Sequence, residues 1–577
     1  MKWTPPSHST AHPGLIASNW LQTALGMSCL ATLLTATPAL GAERIYISYG
    51  LLERSVSVKS LETYANEGTI EDDLRAYAAY ATPEELEQLR TLLDSPAALN
   101  IDVVAVSQFL YTPQGEFILG EIGQLIQTEA RQSGFYAIRA ALILAAADEA
   151  GGGLTPLNIL RHFPGYGIRL DVQNTLQVVR ELQQLINETN MAIATVEQQA
   201  TIEAATELTP NYTQLPNLEA RGPYTWEMQT ITLKDRSRDR DLSQGVDRTY
   251  QSDLYLPLTA TGAPLRTAAP VIVISHGLGS DRTAYAYLAR HLASYGFAVA
   301  VPEHPGSNSD QLEALIEGRA SDVTQPNEFI DRPHDITFLL DHLEYRSQID
   351  PFLRGRLDLQ RVGVVGQSLG GYTALALAGA RINIPELSRN CPPRDPFNIS
   401  LLLQCQALNS SQATVSLRDE RVKAIIPINP IGSSLLGEQG FGDVDIPVMM
   451  ISGNADTVAP SLLEQMQPFT WLGTSDKYLV LMRGGTHFST LGDPAPGATV
   501  VDLPPELVGP DRPTARLYLS ALSVAFFQTY IADQPDYSRY LRSAYARTIS
   551  KETLPLRLVR FLTFNQLARS LESTPSP

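Results

Sequence analysis

From about residue 225 onward, short runs rich in β-branched residues alternate with segments of helical spacing. These runs include APVIVISHG (269–277), GFAVAVPEH (296–304), RVGVVGQS (361–368) and IPVMMISG (446–453). A strand that is apolar on both faces must be covered on both faces, and a helix after each strand supplies that cover. The second half of the chain therefore predicts an α/β fold, with a mainly parallel sheet between layers of helices.

The first half predicts a different structure. At 577 residues the chain is longer than one ordinary core, so more than one domain is expected. Residues 42–205 predict a mostly α-helical N-terminal domain, because apolar residues recur there at helical spacing. One long amphipathic helix is predicted from its apolar stripe: Val172, Leu176, Val179, Leu182, Ile186, Ile193 and Val196. We expect this stripe to face the core of a helical bundle; a groove for a lipid or a partner is the alternative.

The remaining boundaries follow from composition. Residues 206–222 contain prolines and no periodicity, which predicts a linker. Residues 223–540 form the predicted catalytic α/β domain, with an irregular insertion at 381–420 that is a candidate lid over an acyl pocket. Residues 541–577, with LPLRLVRFLTFNQLARSL, predict a C-terminal helical extension.

Residues 1–41 have the composition of a targeting segment. They contain a single charged side chain, Lys2, followed by the apolar run LQTALGMSCLATLL and by small residues suited to cleavage near Gly41 or Ala42. This pattern predicts a signal peptide and an exported protein, periplasmic or extracellular. A membrane anchor is the alternative interpretation.

Charge and cysteine content narrow the function classes. With 61 acidic and 43 basic side chains, a net charge of -18 and no basic run, the chain is not expected to bind nucleic acid. Cys391 and Cys405 lie beyond the predicted signal, and an exported environment permits a disulfide between them; two free thiols are the alternative. Neither cysteine has a partner at zinc-ligand spacing, so no metal site is predicted.

The stretch VGVVGQSLGGYTALALAGA (362–380) predicts a nucleophile. Its Gly-x-Ser-x-Gly lies between a buried strand and an alanine-rich helix, the setting of a nucleophile elbow. Ser368 is the predicted nucleophile, and Gly366 and Gly370 supply the small neighbours that such a turn needs. The helix that follows directs its positive end towards developing negative charge. A tight turn with an idle serine is the alternative.

A serine needs a base, and the base needs a carboxylate, in the chain order Ser, acid, His and each after a strand. Asp456 follows the strand in IPVMMISGNAD, and His487 follows the strand in KYLVLMRGGTH. His487 is also the only histidine after Ser368. Asp443 and Asp445 compete for the acid role, but they precede their strand and are expected at the other end of the sheet.

Acyl transfer also needs two donors for the oxyanion. We predict the backbone N–H groups of Leu369, directly after the nucleophile, and of Leu278, in the loop that follows an early strand. His276 is expected to brace this loop by hydrogen bonding. His304 also ends a strand, and is expected to line the pocket.

These residues carry a family resemblance. SHGLGSDRTAY, LASYGFAVAVPEHPGS, GQSLGG and THF, in order across about 270–490, resemble the α/β-hydrolase family of the platelet-activating factor acetylhydrolases and dienelactone-hydrolase-like esterases. The resemblance implies a serine esterase acting on lipid or short-acyl esters without metal or cofactor, with Ser368, Asp456 and His487 as its triad. Dienelactone hydrolases use cysteine as the nucleophile, so their substrate is not implied.

Two further resemblances bear on substrate and domains. DTVAPSLLEQMQPF and KYLVLMRGGTHF are similar to bacterial cutinases and polyester hydrolases, which gives an alternative substrate class. The N-terminal stretches AERIYISYGLLERSVSVKSLETYA and LTPLNILRHFPGYGIRLD resemble an uncharacterised helical domain attached to such hydrolases in cyanobacteria. A lipid substrate would also bring peripheral contact with a membrane. A non-catalytic exported scaffold protein is the alternative from another class, and the complete Ser/Asp/His set argues against it.

Overall fold

The computed structural model describes residues 41–49, 52–95, 102–208, 210–236, 247–393, 397–410, 416–493 and 505–572. The predicted signal peptide lies outside these ranges except for Gly41. Among the helices in these ranges, none combines the length and the apolar character that crossing a membrane requires.

The N-terminal region contains a small sheet among its helices. Its strands are β1 (Arg44–Tyr49), β2 (Leu52–Ser57), β3 (Ile126–Thr128) and β4 (Gly167–Asp171), and its helices are α1 (Val58–Glu67), α2 (Asp72–Ala78), α3 (Pro83–Asp94), α4 (Val103–Leu110), α5 (Pro113–Leu125), α6 (Phe135–Ala147) and α7 (Pro156–His162). The strand order is β2-β1-β4-β3, with β1 and β4 parallel. Helices dominate as predicted, but the sheet was not predicted, because β1 pairs with a strand that is distant in sequence. The region has an apolar core of its own.

The long helix α8 (Val172–Thr206) connects this region to the rest of the molecule. Its predicted apolar stripe does not face one bundle core, so that prediction is wrong. The first part of the stripe remains largely exposed: Leu176 45%, Val179 41%, Leu182 40% and Ile186 49%. Ile193 and Val196, by contrast, are buried in the core of the second domain. The helix therefore leaves the N-terminal region and docks onto the catalytic domain with its C-terminal half.

A nine-stranded sheet forms the centre of the catalytic domain, in the order β13-β12-β11-β10-β9-β7-β8-β6-β5. Its strands are β5 (Thr225–Asp235), β6 (Arg248–Leu258), β7 (Ala269–Ser275), β8 (Ala298–Pro302), β9 (Leu357–Gln367), β10 (Val422–Ile428), β11 (Val448–Gly453), β12 (Lys477–Met482) and β13 (Leu556–Val559). The six strands β7 to β12 run parallel, and β5, β6 and β13 are antiparallel to their neighbours. All six carboxyl ends therefore meet at one edge, called the carboxyl edge below.

Helices cover both faces of this sheet. They are α9 (Ala286–Ser294), α10 (Ser309–Ile316), α11 (Glu328–Ile349), α12 (Leu369–Leu377), α13 (Ile384–Asn390), α14 (Ser400–Gln404), α15 (Ser433–Gly442), α16 (Gln467–Trp471), α17 (Pro505–Val508), α18 (Arg512–Tyr530), α19 (Ser543–Ile549) and α20 (Phe564–Glu572). Along β7, Val271 and Val273 pack into one core and Ile272 and Ile274 into another. Because successive strand side chains point to opposite faces, the sheet is buried on both sides, as an α/β fold requires.

The C-terminal segment differs from its prediction. Residues 541–577 do not form only a helical extension, since β13 adds an antiparallel edge strand to the main sheet before α20 begins. The predicted linker is also packed: Leu218 is fully buried, and the Tyr212 hydroxyl donates to the carbonyl of Arg539 at 3.1 Å. Apolar residues of both stretches pack into the cores of the catalytic domain, which local composition alone does not reveal.

Candidate active site

Ser368 lies between the end of β9 and the start of α12, at the carboxyl edge. Its backbone is in the left-handed region, with φ 56° and ψ -117°, which an L residue adopts only when the surroundings hold it there. The turn is also crowded. A Cβ on Gly366 would lie 1.9 Å from the carbonyl oxygen of Gly370, and a Cβ on Gly370 would lie 2.2 Å from that of Ser275. Both glycines are therefore required for the turn to close, as the sequence predicts.

His487 and Asp456 come together at the ends of neighbouring strands. His487 follows β12, Asp456 follows β11, and His487 Nδ1 lies 2.7 Å from Asp456 Oδ2. The other carboxylate oxygen of Asp456 accepts from the backbone N–H of Val458 at 2.9 Å and of Ala459 at 2.7 Å. The carboxylate therefore holds the histidine ring with its Nδ1 proton directed inward, which leaves Nε2 as the basic nitrogen.

Two residues that the sequence analysis did not identify hold the loop of His487. Gln367 Nε2 donates to the carbonyl of His487 at 3.1 Å. Asn429, directly after β10, donates to the carbonyl of Thr486 at 3.0 Å and accepts from the N–H of Gly453 at 3.0 Å. Because Gln367 precedes Ser368, the nucleophile and base loops are tied together. The available signal was a polar residue at the end of an apolar strand, the same signal that identified Ser368.

The loop after β7 carries the predicted second oxyanion donor. His276 is buried, and its Nδ1 lies 2.8 Å from the carbonyl oxygen of Gly277, while its Nε2 accepts from the N–H of His304 at 3.1 Å. His276 therefore braces the loop, as expected. Among the described residues, no acceptor lies within hydrogen-bond distance of the N–H of Leu278 or of Leu369. Neither N–H group is thus committed to an acceptor within the described part of the protein.

His304 does not line a pocket, so that expectation is wrong. Its side chain is fully buried, with Nε2 3.0 Å from Ser275 Oγ and Nδ1 2.9 Å from Asp335 Oδ2. Burial, together with the nearby charge of Arg332, lowers the pKa of His304 to about 4 in spite of Asp335. The sequence showed only that His304 ends a strand, and the helix that covers it comes from residues further along the chain.

The competing carboxylates lie elsewhere. Asp443 is in a two-bond ion pair with Arg381, at 2.7 and 2.9 Å, and Asp445 pairs with Arg418 at 3.1 Å. Both precede β11 and therefore lie at the opposite end of that strand from Asp456.

The insertion after α12 is fixed to the carboxyl edge by one buried carboxylate. Glu464 lies in a short π-helical turn, Leu462–Met466, and is fully buried. It accepts hydrogen bonds from side chains of the insertion and from the loop after β10: Asn398, Ser400 and Gln404 through their side chains, Gly432 through its N–H, and Ser433 through both. The insertion is therefore tied to the π-helical turn and to the loop after β10 by a satisfied polar cluster.

A disulfide closes the same insertion. Cys391 and Cys405 are bonded, with their Cα atoms 5.7 Å apart. Helix α5 of the N-terminal region packs against α14 of the insertion, and α4 packs against α10, which follows β8. The N-terminal region thus contacts α10, which begins at the carboxyl edge, and the insertion, which Glu464 ties to the loop after β10.

Comparisons with known proteins agree with this architecture. Residues 41–171 match a family described as an alpha/beta hydrolase of unknown function, and residues 242–330 match the family of platelet-activating factor acetylhydrolase, isoform II. Platelet-activating factor acetylhydrolase of Canis lupus familiaris is 33% identical over 150 residues, which cover 20% of this chain and 33% of the relative.

Other relatives match over longer stretches at lower identity. Cutinase 2 of Thermobifida cellulosilytica is 22% identical over 277 residues, which cover 47% of this chain and 71% of the relative. Bis(hydroxyethyl) terephthalate hydrolase of Streptomyces coelicolor is 25% identical over 220 residues, which cover 38% of this chain and 50% of the relative. The chain thus spans between 33% and 71% of these three relatives. The resemblance predicted from the motifs is confirmed, and the relatives support the class of carboxylic ester hydrolases. The chain has an α/β-hydrolase fold and resembles the platelet-activating factor acetylhydrolases.

Proposed function

We propose that this protein is a serine carboxylic-ester hydrolase with Ser368 as nucleophile, His487 as base and Asp456 as the carboxylate that orients it. One observation carries the proposal: a serine held at positive φ on a strand-to-helix turn shares the carboxyl edge with a histidine bonded to an aspartate at 2.7 Å. Strain at a serine has a physical use when the hydroxyl must stand clear of the backbone for attack.

The chemistry would proceed in two halves. Ser368 Oγ attacks the ester carbonyl while His487 Nε2 takes its proton, and the bond from the carbonyl carbon to the alcohol oxygen breaks as His487 returns that proton to the leaving alcohol. Water then attacks the acyl-enzyme with the same proton transfers and frees the acid. The N–H groups of Leu278 and Leu369 stabilise the tetrahedral oxyanion in both halves.

The proposed substrate is a lipid or short-acyl ester. The match to the acetylhydrolase family covers β6 to β8 and the loop after β7 that carries Leu278, called the oxyanion loop below. The insertion, held in place by Glu464, favours a bounded acyl site over an open groove. A polymer-type ester is the second candidate, favoured by the longer matches to the cutinase and the terephthalate hydrolase. The proposal also includes an exported location.

The test is hydrolysis of a p-nitrophenyl ester series from acetate to palmitate, with an acetylated phospholipid and a soluble terephthalate diester alongside. Full-length wild type is compared with Ser368→Ala. Cleavage of short esters and the phospholipid by the wild type alone supports the acetylhydrolase-like activity, whereas preference for the diester supports the polymer-type one. If a folded wild type cleaves none of them and does not react with a fluorophosphonate, the hydrolase proposal is wrong and the scaffold alternative gains support.

A further inference from the structure

A buried arginine contacts the oxyanion loop, on the side of its carbonyl groups. Arg332, on α11, has no exposed side-chain surface. Burial lowers its pKa to about 10, with Glu328 and Asp335 limiting the fall, so the group remains charged at neutral pH. A buried charge costs several kcal/mol of desolvation, roughly, unless partners compensate it. Interactions of the guanidinium must therefore offset the cost of burying this charge.

The guanidinium binds the backbone of the loop that carries Leu278. Arg332 Nη1 donates to the carbonyl of His276 at 2.7 Å, and Nη2 donates to that of Gly277 at 3.4 Å. The remaining Nε donates to Ser307 Oγ at 2.8 Å. Its closest contact with Glu328 is longer, at 3.7 Å. Two of the hydrogen bonds of Arg332 thus go to consecutive carbonyl groups of the loop, and Nη2 also lies 3.4 Å from His276 Nδ1.

These carbonyl contacts fix the direction of the Leu278 N–H. In a trans peptide the C=O of one residue and the N–H of the next point in opposite directions. The C=O of Gly277 is held inward by Arg332 and by the Nδ1–H of His276 at 2.8 Å. The N–H of Leu278 belongs to the same peptide, so it must point outward, away from this buried network.

The histidine contributes through its tautomer. Because its Nε2 accepts from the N–H of His304 at 3.1 Å, the proton of the neutral ring lies on Nδ1. Burial and the charge of Arg332 hold the pKa of His276 well below its ordinary value, which keeps the ring neutral. A neutral His276 and a charged Arg332 therefore act on the same peptide from the same side.

We propose that Arg332 is a positioning residue for the oxyanion hole: its fork holds the carbonyl groups of His276 and Gly277 and so aims the N–H of Leu278 at the reacting carbonyl. The proposal rests on the proposed esterase function. The cation also polarises the peptide, which strengthens its N–H as a donor. Lysine cannot replace it, since an ammonium group lacks the planar fork that spans two carbonyl oxygens.

The test compares Arg332→Lys with wild type, using Arg421→Lys as a matched control. Arg421 is also ion-paired, with a side chain only 16% exposed, but it precedes β10 at the opposite edge of the sheet. Because Arg332→Met leaves Glu328 less compensated, the double variant Arg332→Met/Glu328→Gln supplies a charge-neutral second version. Circular dichroism and thermal melting establish that each variant is folded.

Two readouts separate positioning from general damage. Loss of an oxyanion donor costs about 10²–10³-fold in kcat, so we expect kcat on p-nitrophenyl acetate to fall by about 10–10³-fold with KM little changed. Affinity for a trifluoromethyl ketone, whose adduct with serine places an oxyanion in the same site, should fall in parallel with kcat. Arg421→Lys should leave both values near wild type.

The outcomes are distinguishable. A folded Arg332 variant that keeps wild-type kcat overturns the proposal, as does a loss expressed only in KM with ketone affinity retained. A wild-type protein that hydrolyses no ester and binds no ketone overturns the esterase function itself, and the positioning role with it.

Discussion

Two sets of serine, histidine and aspartate side chains lie in the catalytic domain. Both are buried, but Ser368 and His487 keep 5% and 3% of their surface exposed, whereas Ser275 and His304 keep none. In the proposed site, Ser368 precedes a helix and His487 bonds to Asp456. In the second set, Ser275 Oγ lies 3.0 Å from His304 Nε2, and His304 Nδ1 lies 2.9 Å from Asp335 Oδ2. We call the first set the elbow array and the second the buried array.

The buried array has the bonding pattern of a catalytic triad without its other requirements. Ser275 ends a regular strand, and no helix begins at it. The side chains of His304 and Asp335 are fully buried, and a ring whose pKa is about 4 is a poor base at neutral pH. Arg248 also binds Asp335 through two hydrogen bonds, at 2.7 and 2.8 Å. A hydrogen-bonded set of serine, histidine and aspartate is therefore not sufficient to define a catalytic site. The site also requires access for the substrate, a strained nucleophile and donors for the oxyanion.

The largest expected difference is between the two serines. Ser368→Ala should lower kcat for p-nitrophenyl acetate by about 10⁴–10⁶-fold, the scale on which nucleophile removal acts. Ser275→Ala should keep most of that activity, but should lose about 1–3 kcal/mol of unfolding free energy because His304 Nε2 loses its donor. Fluorophosphonate labelling followed by peptide mass analysis should place the adduct on Ser368. An adduct on Ser275, or equal activity in the two variants, would reverse the assignment.

The two aspartates should separate activity from stability. Asp456→Asn is expected to lower kcat by about 10⁴-fold, since the amide no longer holds the useful tautomer of His487, with a small change in melting temperature. Asp335→Asn should instead destabilise the protein by about 3–5 kcal/mol, because Arg248 is left with less compensation in a buried site. Urea unfolding and steady-state kinetics on both variants measure this. If Asp335→Asn lost activity without losing stability, the buried array would have a chemical role.

The members of the elbow array could be predicted from the sequence because each follows a strand, and each strand is recognisable from a short run of apolar, β-branched residues. It could not locate Arg332, which reaches the oxyanion loop from a helix 55 residues beyond Gly277. The same limit applies to the N-terminal sheet, where β1 pairs with β4 over more than a hundred residues. It applies to α8 as well, because a continuous apolar stripe does not reveal that only Ile193 and Val196 find a core. Local patterns predicted elements and strand ends, whereas contacts between distant segments decided what is buried.

The pH dependence of stability should report on the buried array. The pKa of His304 falls from 6.5 to about 4 on folding, so between these values the unfolded chain binds the proton that the folded chain excludes. Stability should therefore decrease as the pH is lowered from about 6.5 towards 4, by up to about 3 kcal/mol. His276, whose pKa is also lowered, contributes in the same direction. The groups facing His304 are Ser275, Asp335 and Arg332.

His304→Gln should reduce this slope, because glutamine does not titrate, while Ser275→Ala should retain it. The measurement is urea unfolding at intervals from pH 7 to 4.5. A slope that is unchanged in His304→Gln would mean that other groups cause the acid sensitivity.

The smallest expected effect concerns the insertion, which Glu464 ties to the loop after β10. Glu464 holds the insertion by hydrogen bonds that do not depend on the disulfide, so Cys391→Ser/Cys405→Ser should stay folded and hydrolyse p-nitrophenyl acetate at nearly the wild-type rate. If the insertion forms one wall of the acyl site, the ratio of palmitate to acetate turnover should change by up to about tenfold, the low end of what one methylene contact contributes.

Reduction and alkylation of the wild type gives the same comparison without substitution. Equal ratios in the oxidised, reduced and double-serine proteins would show that the disulfide does not shape the acyl site, and that the hydrogen bonds to Glu464 alone keep the insertion in place.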